Sequence, residues 1–217
     1  MAEQDPLGVA GARGGRAARE YDLDRTTAFS DGVFAIAVTL VALTIEVPTV
    51  SEANESQLPD EISKIAPQVL CYLLTFLVLG RFWLLHHRLF GDLDRLDGRL
   101  SVLNLAYLAF VGIFPFTAEL LSDYGDQPIA VALYAVGVGL VSLIGTAMTS
   151  YALGRGLIGE GERRDEAERG RHAGIWLAGV FLVSAGIAFI SPSVAIATWV
   201  ILVVARGGTH AVSTVTK

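Results

Sequence analysis

Residues 28–48, Ala-Phe-Ser-Asp-Gly-Val-Phe-Ala-Ile-Ala-Val-Thr-Leu-Val-Ala-Leu-Thr-Ile-Glu-Val-Pro, form a predominantly apolar run long enough to cross a bilayer, yet carry the ionisable Asp31 near one end. A carboxylate at membrane depth is expensive, so it marks a functional or anchoring site. The run also places Ile36, Leu40 and Leu43 at i, i+4 and i+7, which stacks them on one helical face with Thr39 at its edge. Such a face needs a partner or borders a pore.

Of the 217 residues, 53% are hydrophobic and 18% charged. Soluble domains average about 25% charged residues, so the class is an all-α, multi-spanning membrane protein. Runs of roughly 17 to 25 apolar residues mark spans. They fall at 28–48, 66–87, 100–121, 128–151, 172–190 and 193–206, giving six transmembrane helices. The last, at about 14 residues and 1.5 Å each, reaches only some 21 Å of a roughly 30 Å core. Prolines agree with these limits: Pro48 closes the first run, Pro67 opens the second, and Ser191-Pro192-Ser193 parts the fifth from the sixth. Pro115 lies within the third and is expected to kink it.

Residues 1–24 begin with a Gly-, Ala- and Arg-rich stretch that reads as an unstructured tail, without the apolar core of a cleaved signal peptide. Residues 25–206 then form the membrane domain, and 207–217 a second tail. Every Lys and Arg except Lys64 falls before the first run, from Arg206 onward, in the second-to-third connection with its helix end (Arg81, Arg88, Arg95 and Arg99) or in the fourth-to-fifth connection. By the positive-inside rule both termini are cytoplasmic, in a multi-pass cell-membrane protein. The other side is acidic, with Glu46, Glu52, Glu55, Asp60, Glu61, Glu119, Asp123 and Asp126 in or beside its loops, which concentrates cations there. The net charge of −6 and the dispersed arginines speak against nucleic-acid binding.

Depth then groups the polar residues. Asp31 and Ser30 enter about one turn inside the basic boundary; Arg81, His86 and His87 return to that level on the second helix, and Asn104 starts the third. Asp31 and Ser30 are expected to bind some of Asn104, His86, His87 and Arg81, pinning the first helix to its scaffold. A metal site at His86-His87 is disfavoured, because adjacent residues point about 100° apart and no further ligand stands at suitable spacing. Cys71 is the sole cysteine and excludes an intramolecular disulfide. The glycines Gly137, Gly139, Gly145, Gly174, Gly179 and Gly186 read as close helix contacts. No catalytic constellation or cofactor motif appears, so the chain does not read as an enzyme.

The stretch Arg25-Thr-Thr-Ala-Phe29-Ser30-Asp31-Gly-Val-Phe-Ala-Ile36-Ala-Val-Thr39-Leu40-Val-Ala-Leu43 closely resembles the first-helix signature of the transmembrane protein 175 family, the endosomal and lysosomal potassium channels and their bacterial relatives. Trp83-Leu-Leu-His-His-Arg-Leu-Phe90 and Pro115-Phe116 are similar to that family too. Animal members carry two six-helix repeats, and no second Phe-Ser-Asp segment is present here. The resemblance implies a prokaryotic single-repeat member, a potassium-preferring cation channel that assembles as a homotetramer with the first helices lining a central pore. It further implies a constriction of hydrophobic side chains at Ile36, Leu40 and Leu43, with the Thr39 hydroxyl as an aid to a partly dehydrated potassium ion. Rings of branched apolar residues gate by dewetting, in accord with the stripe itself. The alternative is a proton- or cation-coupled secondary transporter that uses Asp31, although broken helices and inverted repeats are not evident.

Overall fold

The computed structural model describes residues 6–48 and 58–199, with side chains from residue 22 onward. It is all-helical: α1 (Pro6–Ala42), α2 (Leu58–Lys64), α3 (Ala66–Gly91), α4 (Gly98–Gly112), α5 (Phe114–Asp123), α6 (Pro128–Gly154) and α7 (Glu162–Ala188). Residues 192–199 begin a further helix. Five spans among the described residues are long and apolar enough to cross a membrane: Asp22–Ala42, Ala66–Gly91, Gly98–Asp123, Pro128–Gly154 and Glu162–Ala188. The expected sixth, 193–206, lies outside the described residues beyond position 199, as does the tail 207–217.

Both ends of the first helix differ from expectation. It begins at Pro6, inside the stretch read as an unstructured tail, where Ala, Arg and Glu favour helix over the interspersed glycines. It ends at Ala42 rather than at Pro48. The last turn tightens through Leu43 N–H to Leu40 C=O at 3.0 Å and Thr44 N–H to Val41 C=O at 3.3 Å, and the Glu46 N–H turns away to Gln68 Oε1 of α3 at 3.0 Å. The β-branched Thr44, Ile45 and Val47 favour extended backbone, as does the position before Pro48. Pro115 breaks the third span into α4 and α5, because its ring excludes the turn before it and it carries no N–H for the ladder.

The core runs through all five spans and includes Phe34 and Val41, Leu79 and Phe82, Tyr107 and Val111, Phe114, Tyr134 and Val138, and Phe181 with Trp199. Several polar groups inside it are paired between helices. Tyr134 and Thr75 share a hydrogen bond of 3.1 Å, Trp199 Nε1 donates to Ser184 Oγ at 2.7 Å, and Tyr107 donates to the Phe82 carbonyl at 3.2 Å. Cys71 is buried and its thiol donates to the Ala118 carbonyl at 3.1 Å. Each bond spares a buried group the cost of desolvation without a partner.

Small residues let α6 approach α7 and α4. A Cβ at Gly139 would fall 2.7 Å from Leu182, one at Gly145 3.2 Å from the Tyr107 ring, and one at Gly174 against the Thr146 hydroxyl. Gly137, Gly179 and Gly186 have no such neighbour within 4 Å, so the expected close contact holds at three of the six positions. At the basic end Asp97 caps α4: its carboxylate accepts from the Leu100 N–H at 2.9 Å and from the Tyr151 hydroxyl at 2.7 Å. These donors hold the Asp97 carboxyl below its ordinary range.

Candidate pore-lining face

Helix α1 has one anchored side and one open side. Ser30, Phe34, Ala37 and Val41, spaced i, i+4, i+7 and i+11, are all buried against α3, α4 and α5. About 130° around the helix stand Ile36, Leu40 and Leu43, exposed by 61%, 43% and 77%. The fold therefore leaves open the face that carries the apolar stripe. Leu43 sits one residue past the helix end but continues the same face through its bond to Leu40.

Thr39 is exposed at the edge of the stripe. Its hydroxyl lies 3.0 Å from the Ala35 carbonyl and 2.9 Å from that of Ile36. The single proton is thus directed back at the helix, and the oxygen lone pairs are left for an outside donor or cation.

The anchored side is fixed by a directed chain of hydrogen bonds. Ser30 Oγ donates its proton to the Thr26 carbonyl at 2.8 Å, so it can only accept from Asn104 Nδ2 at 3.0 Å. Asn104 Oδ1 then faces His86 Nε2 at 2.8 Å, which must carry the ring proton. Ser30, Asn104 and His86 are all nearly inaccessible, at 0%, 1% and 3%. The His86 ring also stacks on Phe90 at 4.2 Å between centroids and packs on Phe34 at 5.8 Å. Three helices, α1, α4 and α3, are tied at one level.

Asp31 departs from expectation. It is half-buried, and its carboxylate accepts from Trp83 Nε1 of α3 at 2.8 Å rather than from Asn104, His86 or His87. His87 enters only indirectly, stacked on the Trp83 ring at 5.3 Å. The missed donor is an indole at the same depth, one turn before His87, and a census of N–H donors as well as of charges would have found it. Phe29 stands apart from the network: it is 56% exposed and follows the Ile36 face about two turns toward the basic end, with Arg25 a turn before it. Among the described residues no three His, Cys, Asp or Glu side chains converge on a metal-sized site.

Residues 25–115 match the model of the family described as endosomal/lysosomal potassium channel TMEM175. A potassium channel of Streptomyces collinus is 36% identical over 129 residues, covering 59% of this chain and 61% of that protein. The endosomal/lysosomal proton channel TMEM175 of Gallus gallus is 34% identical over 110 residues, 48% of this chain and 22% of that one. The matched chain thus spans less than two thirds of the length of these relatives. In three dimensions it is similar to a lysosomal potassium-selective channel TMEM175 homolog from Chamaesiphon minutus, with a TM-score of 0.75 and 27% identity over 85% of this chain and 95% of the other.

Proposed function

Because the chain belongs to the TMEM175 family, matched in sequence over residues 25–115 and in fold over 85% of its length, we propose that it forms a potassium-preferring cation channel in the cell membrane, with both termini cytoplasmic. The observation that carries this reading is the two-sidedness of α1. One face is bound to the scaffold through Ser30, Phe34, Ala37 and Val41, while Ile36, Leu40 and Leu43 stay exposed.

A single helix face cannot enclose an ion path, so closed cyclic assembly is required, and the homotetramer is the assembly proposed. Four copies of the stripe would surround an axis with rings of Ile36, Leu40 and Leu43. Rings of this kind block by excluding water and conduct when they part. The Thr39 oxygen, its proton turned inward, supplies an acceptor beside the narrowest rings for a partly dehydrated monovalent cation. With few oxygen ligands, preference for potassium over sodium would be modest.

The names of the animal relatives favour protons as a second permeant ion. A transporter that loads ions on Asp31 is less well supported, since that carboxylate is engaged by Trp83 on the scaffold side, about 140° from Ile36. Planar-bilayer recording of the purified protein tests all three readings. Unitary currents whose reversal follows the potassium gradient are expected. Reversal that follows the pH gradient assigns protons instead, and flux without unitary events rejects the channel.

A further inference from the structure

A cavity of about 560 Å³ lies behind the Ser30–Asn104–His86 chain, between α3, α6 and α7 and away from the exposed face of α1. Three helices present one stripe each to it. Helix α3 offers Arg81, Arg88 and Asp92 at i, i+7 and i+11, and α7 offers Glu166 and Arg169 with Gly170 beside them. The inner wall comes from α6, where Ser142 and Thr146 already donate their hydroxyl protons to the carbonyls of Gly174 and Ser142, at 3.1 and 2.8 Å. Both residues line the cavity, and their oxygens keep lone pairs as acceptors.

His86 closes the inner end. Its Nε2–H is committed to Asn104, so Nδ1 of the neutral ring is an acceptor, and this buried atom has no hydrogen-bond partner among the described residues. The rim carries both signs of charge. Burial and then the neighbouring Glu166 carboxylate raise the Asp92 carboxyl above its ordinary range, with Arg163 acting in the opposite sense.

We propose that this cavity binds the phosphoethanolamine group of an aminophospholipid, its phosphate on Arg88 and Arg169 and its primary ammonium between Asp92 and Glu166 at the rim. Guanidinium groups match a phosphate diester by paired, charge-assisted hydrogen bonds. A primary ammonium supplies three N–H donors to a wall made of acceptors. Arg88, Asp92, Glu166 and Arg169 line it at the end of α3 and in the first turns of α7, the end where headgroups lie in the orientation proposed. Because His86 lines the cavity and also holds Asn104, the cavity is one side chain away from the anchor of α1.

Native mass spectrometry of the full-length protein in mild detergent tests this with dioleoyl-phosphatidylethanolamine, -phosphatidylcholine and -phosphatidylglycerol as probes. Phosphatidylethanolamine is expected to be retained at least about tenfold better than phosphatidylcholine, which has no N–H, and than phosphatidylglycerol, which has no amine. Arg169→Gln and Glu166→Gln are each expected to cut that retention about tenfold. Gly170→Leu is expected to abolish it, and since no atom lies within 4 Å of a Cβ there, the variant fills the cavity without a clash at that atom. Free O-phosphoethanolamine separates the sources: an adduct as strong as the lipid's and sensitive to the same variants assigns the group to a soluble ligand and overturns the lipid, and its absence supports the bilayer. Equal retention of all three lipids, unchanged by Arg169→Gln and Gly170→Leu, overturns the site. So does phosphatidylglycerol bound as well as phosphatidylethanolamine and indifferent to Glu166→Gln.

Discussion

Asn104 Nδ2 donates to Ser30 Oγ at 3.0 Å across 74 positions of sequence, and this bond orients every proton in the chain that joins α1 to α3. Because the Ser30 hydroxyl proton points at Thr26, neither Asn104 nor His86 has an alternative tautomer or flip that keeps all the bonds.

Removing either partner strands a buried group. Ser30→Ala leaves the Asn104 amide without an acceptor and Asn104→Leu leaves the His86 N–H without one, each at about 1–3 kcal/mol. The double variant is expected to cost less than the sum, because the second change removes the group the first one stranded. Thermal unfolding in detergent, read as a double-mutant cycle, checks this; strict additivity would separate the two residues energetically.

The exposed stripe makes a directional claim about conductance. If the stripe lines the pore as proposed, Leu40→Asn and Leu40→Ala are expected to wet or widen a constriction there and raise single-channel conductance. Val38→Ala, half-buried and off the stripe, is expected to leave it unchanged. Equal currents from the two sets would remove Leu40 from the ion path.

Asp31 and Trp83 form the second anchor of α1. Asp31→Asn keeps an oxygen for the indole N–H, whereas Asp31→Ala and Trp83→Phe break the bond. The first is expected to assemble with near-normal ion preference, and the other two to lose thermal stability and yield. Well-assembled Asp31→Asn protein that has lost cation selectivity would place the carboxylate in the permeation path.

Asp97 carries a pH dependence of known sign. Its folded carboxyl titrates below the ordinary 3.8 because the Leu100 N–H and the Tyr151 hydroxyl favour the anion. A depressed folded value stabilises above the unfolded value and stops doing so as pH falls through the folded one. Unfolding followed from pH 6 to 3 is therefore expected to show stability falling below about pH 4 in the parent. Asp97→Asn, which still caps, should flatten that part of the curve, and Asp97→Ala should cost about 1 kcal/mol at neutral pH.

Much of the architecture was present in local patterns. Apolar run length marks the second to fifth spans to within a few residues at their apolar ends, though it overran the first by six, and Pro115 marks the break between α4 and α5, because the bilayer and the missing proline N–H act on sequence directly. The 3.6-residue period likewise put Ile36, Leu40 and Leu43 on one face of α1. Periodicity says that two faces exist; only packing decides which is covered. Ser30, Phe34, Ala37 and Val41 are no more apolar than the stripe opposite them, yet α3, α4 and α5 bury the former and leave the latter open. Tertiary structure also chose Trp83 over the charged neighbours of Asp31, and ended α1 at Ala42 by offering Gln68 to the Glu46 N–H. A hydrogen bond is short and directional, so its partner is set by where helices distant in sequence come to rest, and no local pattern along the chain encodes that meeting.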